Sequence, residues 1–153
     1  MIRTIRQYFE ERIVYREEAE LPLERALQLA TAALLIEVSR ADFDRSPGER
    51  QAIEEALQRS FGLDPAETSE IVDLAEEEVE RSISVYEFSR LVDKNFSPEQ
   101  KQHIIGMLWD VAYSDDRLEE REEYLIRKIA TLLHVAHAEF ISEKLAARDR
   151  RKK

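Results

Sequence analysis

Apolar residues recur every three or four positions along most of this chain, which is the spacing of one face of an α-helix. Leu27, Ala30, Leu34 and Val38 follow this spacing, and no stretch has the alternation of a convincing strand. The pattern predicts eight helices, at about residues 2–17, 22–41, 47–61, 65–81, 85–93, 98–113, 119–133 and 137–150. We therefore expect an all-α protein, a single helical bundle of about seven to nine helices.

One short motif marks the start of three of these helices. In residues 46–49 (SPGE), 64–67 (DPAE) and 97–100 (SPEQ), a side chain with an oxygen acceptor is followed by proline and, two residues later, by Glu or Gln. The first side chain suits the N-cap, proline suits the first helical position, and the Glu or Gln can reach back to the N-cap N–H.

An acidic segment of the chain occurs twice. Residues 34–53 (LLIEVSRADFDRSPGERQAI) align with residues 107–126 (MLWDVAYSDDRLEEREEYLI) after a shift of 73 positions, 115 − 42. The shift pairs Glu37 with Asp110, Val38 with Val111, Asp42 with Asp115, Glu49 with Glu122 and Ile53 with Ile126. We therefore predict an internal duplication, in which the second and third predicted helices superpose on the sixth and seventh.

The repeated carboxylates allow two interpretations. Asp42 and Asp115 lie near the C-terminal ends of helices, where the helix dipole disfavours an anion. In the local interpretation they form Asx turns with loop N–H groups, while Glu49 and Glu122 complete capping boxes. In the other interpretation the carboxylates converge and bind a hard cation such as Ca²⁺ or Mg²⁺. The candidate metal ligands are Asp115, Asp110, Glu122, Asp42, Glu37 and Glu49.

Composition removes several classes of function. The chain has 153 residues, the size of one domain, and a formal net charge of −10, which argues against a nucleic-acid partner. It has no cysteine, and it contains no catalytic triad, phosphate-binding loop or HExxH motif, so we expect no enzyme. Without a signal peptide or a run of about 18 apolar residues, the expected location is cytoplasmic.

Several segments together resemble a known family. The two copies of an apolar helix, an Asp, a short loop and a Glu are similar to the tellurite-resistance protein B (TerB-like) family. Residues 86–91 (YEFSRL), 96–99 (FSPE) and 108–113 (LWDVAY) look like a stand-alone bacterial branch of that family. The resemblance covers about residues 25–145, and it implies a single TerB-like domain over residues 1–153.

The resemblance also implies a function. It implies an all-helical domain, in the cytoplasm or at the inner membrane face, in tellurite and general stress resistance, whose acidic residues sense or bind metal ions without established catalysis. Phe43 and Asp116 stand where the family usually has Gly after the Asp. Because Asp tolerates a left-handed backbone better than Phe, Asp115 is expected in the better half of any cation site.

The two ends of the chain differ in charge from its middle. An N-terminal amphipathic helix is predicted over residues 1–20, and a basic tail occupies residues 147–153. The apolar stripe of this helix is Ile2, Ile5, Phe9 and Ile13. The helix either packs on the bundle while the tail frays, or these ends make peripheral contact with the anionic inner membrane face or an acidic partner.

Two functions therefore stay open. One is a non-enzymatic, cation-binding stress-response module with Ca²⁺ or Mg²⁺ as its only cofactor. The alternative is an interaction scaffold whose acidic face docks a basic partner without metal. The chain would then associate with another protein or form a homo-oligomer. Converging carboxylate oxygens favour the first, and carboxylates spread over the surface favour the second.

Overall fold

The computed structural model describes residues 20–40, 47–80, 85–114, 118 and 120–152, which form seven helices and no strand. We number them α1 (Glu20–Arg40), α2 (Pro47–Phe61), α3 (Pro65–Glu80), α4 (Val85–Asn95), α5 (Pro98–Ala112), α6 (Glu120–Leu132) and α7 (His137–Lys152). Each begins and ends within two residues of a predicted helix, so the all-α prediction is confirmed. The predicted helix at residues 2–17 lies outside the described residues.

The predicted caps explain why the helices begin where they do. At α5, the Gln100 backbone N–H donates to Ser97 Oγ at 3.2 Å, and the Ser97 N–H donates to Gln100 Oε1 at 2.8 Å. At α3, the Glu67 N–H donates to Asp64 Oδ1 at 2.8 Å, and the Asp64 N–H donates to Glu67 Oε1 at 3.3 Å. Both are reciprocal capping boxes, as predicted. The third cap, Ser46, lies outside the described residues.

Two helices, α1 and α5, form the centre of the bundle. Residues 27–36 of α1 and residues 104–109 of α5 are buried without interruption, so these helices are covered on all sides. A helix that is surrounded in this way belongs inside a bundle and not on its surface. Helix α1 contacts α2 through α6, and α5 contacts α1, α2, α6 and α7.

The contacts between helices repeat under the 73-residue shift. Helices α1, α2 and α3 correspond to α5, α6 and α7, and within each set the first helix contacts the other two. Across the sets, α2 contacts α5 and its counterpart α6 contacts α1. This is the pattern of two units related by a pseudo-twofold axis. The repeated contacts therefore include a third helix, whereas the aligned segments of the sequence covered only two helices of each unit.

Two helices end with a residue in the left-handed backbone region. Gly62 follows α2 with φ of 66°, and its N–H donates to the Gln58 carbonyl at 2.9 Å. His134 follows α6 with φ of 63°, and the next N–H, of Val135, donates to the Ala130 carbonyl at 2.9 Å. Both are helix C-caps of the left-handed kind. His134 therefore has the capping role that its place at a helix junction indicates.

Replacing Gly62 by alanine should lower the free energy of unfolding by about 1 kcal/mol, because a Cβ disfavours the left-handed backbone. Apart from Gly62 itself and its two chain neighbours, no atom lies within 4 Å of the place where that Cβ would stand, so the loss comes from the backbone alone. Gly62→Asn is the matched control and should lose less, since asparagine tolerates this conformation. Urea unfolding followed by circular dichroism measures both; an equal loss in the two variants would contradict the backbone explanation.

Candidate functional site

The two first-turn glutamates of the repeated motif are both fully buried. Glu49 is the third residue of α2, Glu122 is the third residue of α6, and each has an exposed fraction of 0%. Their apolar neighbours in the motif, Ile53 and Ile126, are buried to the same degree. A carboxylate is tolerated there because the N-terminus of a helix carries partial positive charge and N–H donors.

The surroundings of the two glutamates differ in one hydroxyl group. Ser39, in the last turn of α1, donates from Oγ to Glu49 Oε2 at 3.1 Å, and both side chains are buried. The shift places Ala112 of α5 where α1 has Ser39, so this hydrogen bond has no counterpart at Glu122. The first copy of the motif therefore has a buried hydroxyl beside its glutamate at a position where the second copy has a methyl group.

Glu37 lies in an unfavourable place for a charge. Its side chain is half-buried in the last turn of α1, where the dipole of the helix opposes an anion. Burial raises the pKa of Glu37 above its ordinary value, and the charge of Arg40, one turn away, opposes that rise. The carboxylate of Glu37 would therefore gain from a cation.

Asp110, the counterpart of Glu37, is instead neutralised by arginine. Arg150 of α7 donates to Asp110 Oδ1 from Nε at 3.2 Å and from Nη2 at 2.9 Å, and Arg59 Nη2 lies 3.9 Å from Oδ2. These residues line a cleft of 390 Å³ between α2, α5 and α7. A cation at Asp110 would have to compete with two guanidinium groups.

The structure therefore separates the predicted ligands into three environments. Glu49 and Glu122 are buried at helix starts, Glu37 is half-buried at a helix end, and Asp110 is paired with arginine. Asp42 and Asp115 lie outside the described residues. Among the described side chains, no three acidic or histidine groups come close enough together to hold a metal ion. A complete site would need the loop aspartates.

A serine and a histidine that the sequence kept apart meet in the cleft beside Asp110. Ser60 Oγ and His103 Nε2 are 2.8 Å apart, although 43 positions separate them in the chain. No motif connects Ser60 at the end of α2 with His103 on α5, and the crossing of these helices brings them together. Within the described residues, no carboxylate bonds to the other ring nitrogen of His103, so the pair lacks the third group of a catalytic triad.

The other two histidines have structural contacts. His134 Nδ1 lies 3.0 Å from Asp93 Oδ1, which also accepts from Lys101 Nζ at 2.7 Å. These bonds, that of Lys101 first and that of His134 second, lower the pKa of Asp93 below its ordinary value. The ring of His137 stacks on Phe140 at 5.8 Å.

Comparison with protein families decides the relationship. The sequence profile described as "Tellurite resistance protein TerB" matches residues 28–145, from the first turns of α1 into α7. The chain belongs to the TerB family. The match includes both copies of the acidic motif and every described helix in full or in part, which agrees with the resemblance found in the motifs. Comparison with curated proteins and with solved structures gave no significant match.

The described part of this TerB chain was compared with the length and hydropathy that a membrane-spanning helix requires. None of the helices there is both long enough and apolar enough to cross a bilayer.

The raised pKa of Glu37 gives a prediction with a definite sign. A carboxyl group whose pKa is higher in the folded state destabilises the fold above that pKa, and the penalty disappears below the unfolded value of about 4.3. Glu37→Gln should therefore raise the melting temperature of the metal-free TerB protein at pH 7. The increment should vanish as the pH falls below about 4, where Glu37 is protonated in both states.

Glu77→Gln on the exposed face of α3 is the control for the lost charge. Thermal unfolding from pH 3 to pH 8, in the presence of a chelator, measures the difference between the two variants. If Glu37→Gln lowers the melting temperature at pH 7, its carboxylate is stabilised by a partner and not penalised by burial.

Proposed function

We propose that this TerB-family protein is a non-enzymatic module that binds a divalent cation at its acidic loops. The observation that carries the proposal is the complete burial of Glu49 and Glu122, two carboxylates at equivalent positions directly beside the loops that hold Asp42 and Asp115. The family's name supports a role in tellurite resistance and related stress. Hard cations of the Ca²⁺ or Mg²⁺ kind are the expected ligands, since the available donors are carboxylate oxygens.

The first loop offers the larger set of oxygen donors. Glu37 lies in the helix before this loop, Asp42 within the segment between the helices and Glu49 in the helix after it. Ser39 already donates a hydrogen bond to one oxygen of Glu49. The charge of a cation near Glu37 would offset the desolvation that raises its pKa. This supports a site in the first loop.

The second loop has a different advantage. Its candidate ligands are Asp115 and Glu122, and Asp116 beside Asp115 tolerates a left-handed backbone better than Phe43 beside Asp42 does. Asp110 would join them only after release from Arg150. We therefore propose that Asp115 and Glu122 bind the cation at the second loop, while Asp110 stays paired with Arg150.

The absence of catalysis is part of the proposal. Ser60 and His103 form the only serine–histidine hydrogen bond among the described side chains. Ser60 is partly exposed and His103 is exposed. Ser60 also lies at the C-terminal end of α2, away from the helix N–H groups that would stabilise an oxyanion. The pair is better explained as a contact between α2 and α5.

A second function, docking of a basic protein partner, is favoured by one observation. Glu70, Asp73, Glu77 and Glu80 are exposed along one side of α3, at the spacing of neighbouring turns. An acidic stripe of this kind would attract a basic surface in a salt-dependent way. It lies on the third helix of the repeat and not at the acidic loops.

The experiment is a titration of the metal-free protein with CaCl₂ and with MgCl₂. A cation at ten times its Kd should add about 1.4 kcal/mol of stability by mass action, which raises the melting temperature by roughly 3–6 °C. Calorimetry should show saturable binding. Asp42→Asn and Asp115→Asn should each remove one component of the response while the metal-free protein stays folded, since asparagine keeps the turn-forming oxygen.

Glu77→Gln is the matched control, because it removes an equal charge from an exposed position of the acidic stripe of α3. If neither ion binds nor shifts the melting temperature, the cation proposal is wrong and the acidic-stripe function takes its place. If Glu77→Gln reduces the response as much as the loop variants, the ions act by general screening and not at a site.

A further inference from the structure

An open apolar groove lies on the side of α5 that faces the end of α2. Its cavity volume is 660 Å³, and its apolar lining comes from Leu27, Phe61, Phe96, Ile104 and Met107. Glu99 and His103 lie at its polar rim and are exposed. A groove of this size accepts several apolar side chains of a peptide segment.

The pseudo-twofold relation indicates what kind of element fits the groove. Helix α4 packs against α1 and α6. Under the 73-residue shift, the counterparts of α1 and α6 are α5 and α2. The place equivalent to that of α4 is therefore against α5 and α2. The groove is lined mainly by these two helices, so it is the counterpart of the α4 position.

The chain itself contains a segment equivalent to α4. Shifting residues 85–95 back by 73 positions gives residues 12–22, which precede and enter α1 as α4 precedes α5. The shift places Tyr15 on Phe88 and Ala19 on Val92, and the latter residues are the buried face of α4. Further towards the N-terminus, Ile2, Ile5, Phe9 and Ile13 form a second apolar stripe at helical spacing, on the neighbouring side of the same predicted helix.

The described chain begins within reach of the groove. Helix α1 starts at Glu20, and Leu27 in the groove wall lies seven residues further, about 10 Å along a helix with 1.5 Å per residue. A segment that ends at residue 19 can therefore turn back onto α5 and α2 without a long linker. Residues 2–13 of a helix span about 17 Å, a length comparable to that of α4.

We propose that the N-terminal segment, residues 2–19, docks as an amphipathic helix in the groove between α5 and the end of α2. It completes the second unit of the duplication, as α4 completes the first. Its apolar stripe covers Ile104, Met107 and Phe61. Arg3 lies away from the stripe and faces solvent, and Arg6, at the edge of the stripe, faces the rim carboxylate of Glu99. The stripe is then not available to a membrane surface or to a second copy of the chain.

The test uses the absence of cysteine in the natural sequence, so that one introduced thiol reports on one place. Glu99→Cys puts the thiol on the groove rim, and Ser142→Cys puts it on an exposed position of α7 as a reference. In the full-length protein we expect a maleimide to label the rim thiol on the order of tenfold more slowly than the reference. Adding Phe9→Asp should remove this protection.

Gln7→Asp is the matched control for the added charge, because it falls on the opposite side of the predicted helix and should leave the rim protected. Phe9→Ala repeats the test with a milder change, should Phe9→Asp unfold the protein by circular dichroism. Equal labelling of the rim and reference thiols would overturn the proposal. Protection that increases with protein concentration would also overturn it, since it would assign the groove to a second copy.

Discussion

Replacing Trp109 by alanine is expected to lower the free energy of unfolding by about 3–5 kcal/mol, the largest loss at any single position discussed here. Trp109 has an exposed fraction of 0% on α5, and its Nε1–H donates to the Phe140 carbonyl of α7 at 3.3 Å. Its ring lies 5.1 Å from that of Phe140 and 6.0 Å from that of Tyr113. The substitution removes a large buried side chain from the packing between α5 and α7, together with the hydrogen bond from its indole N–H to the Phe140 carbonyl.

Urea unfolding followed by far-ultraviolet circular dichroism measures this loss, because the variant has no tryptophan left for fluorescence. Tyr124→Ala is the control: this ring is 69% exposed on α6, and its removal should change stability by about 0.5 kcal/mol or less. Trp109→Phe should fall between the two. A loss below about 1 kcal/mol for Trp109→Ala would mean that α7 does not depend on this contact.

The second large effect is expected at Glu49. Glu49→Ala should lower the free energy of unfolding by about 2–3 kcal/mol, because it removes a buried hydrogen bond to a charged group and leaves the Ser39 hydroxyl without its acceptor. It also removes a favourable anion from the first turn of α2. Glu49→Gln keeps the shape and an acceptor oxygen, so it should lose less.

A double-mutant cycle with Ser39→Ala isolates the hydrogen bond between the two side chains. We expect a positive coupling energy between Ser39 and Glu49. If Glu49→Ala is as stable as the parent, the hydrogen bond from Ser39 to Glu49 does not stabilise the fold.

The helices could be predicted closely because their signals are local. Proline is the first residue of α2, α3 and α5. Its ring fixes a helical φ and removes an N–H that has no partner in the first turn, so this signal depends only on neighbouring residues. The ends were accurate to two residues for a similar reason. The apolar spacing of α1 predicted one buried face, whereas the structure buries residues 27–36 without interruption. Spacing alone did not indicate that α1 is a central helix.

The candidate site was predictable only in part. The repeated positions of Glu49 and Glu122 are visible in the sequence, and their equal burial follows from the same duplication. The ion pair between Asp110 and Arg150 could not be predicted, because Arg150 lies 40 positions away on a helix with no motif of its own. Its counterpart Glu37 has the same place in the repeat and a different environment.

The sequence by itself determined the helical class, the helix boundaries, the duplication and the family, since each depends on residues close together in the chain or on a repeated pattern. Only the tertiary structure decided which carboxylates are buried, which are neutralised by arginine, and that Ser60 meets His103. These depend on how α2, α5 and α7 cross, and helix crossing is set by the packing of many side chains from distant parts of the chain. Identical positions in the two repeats can therefore acquire different electrostatics.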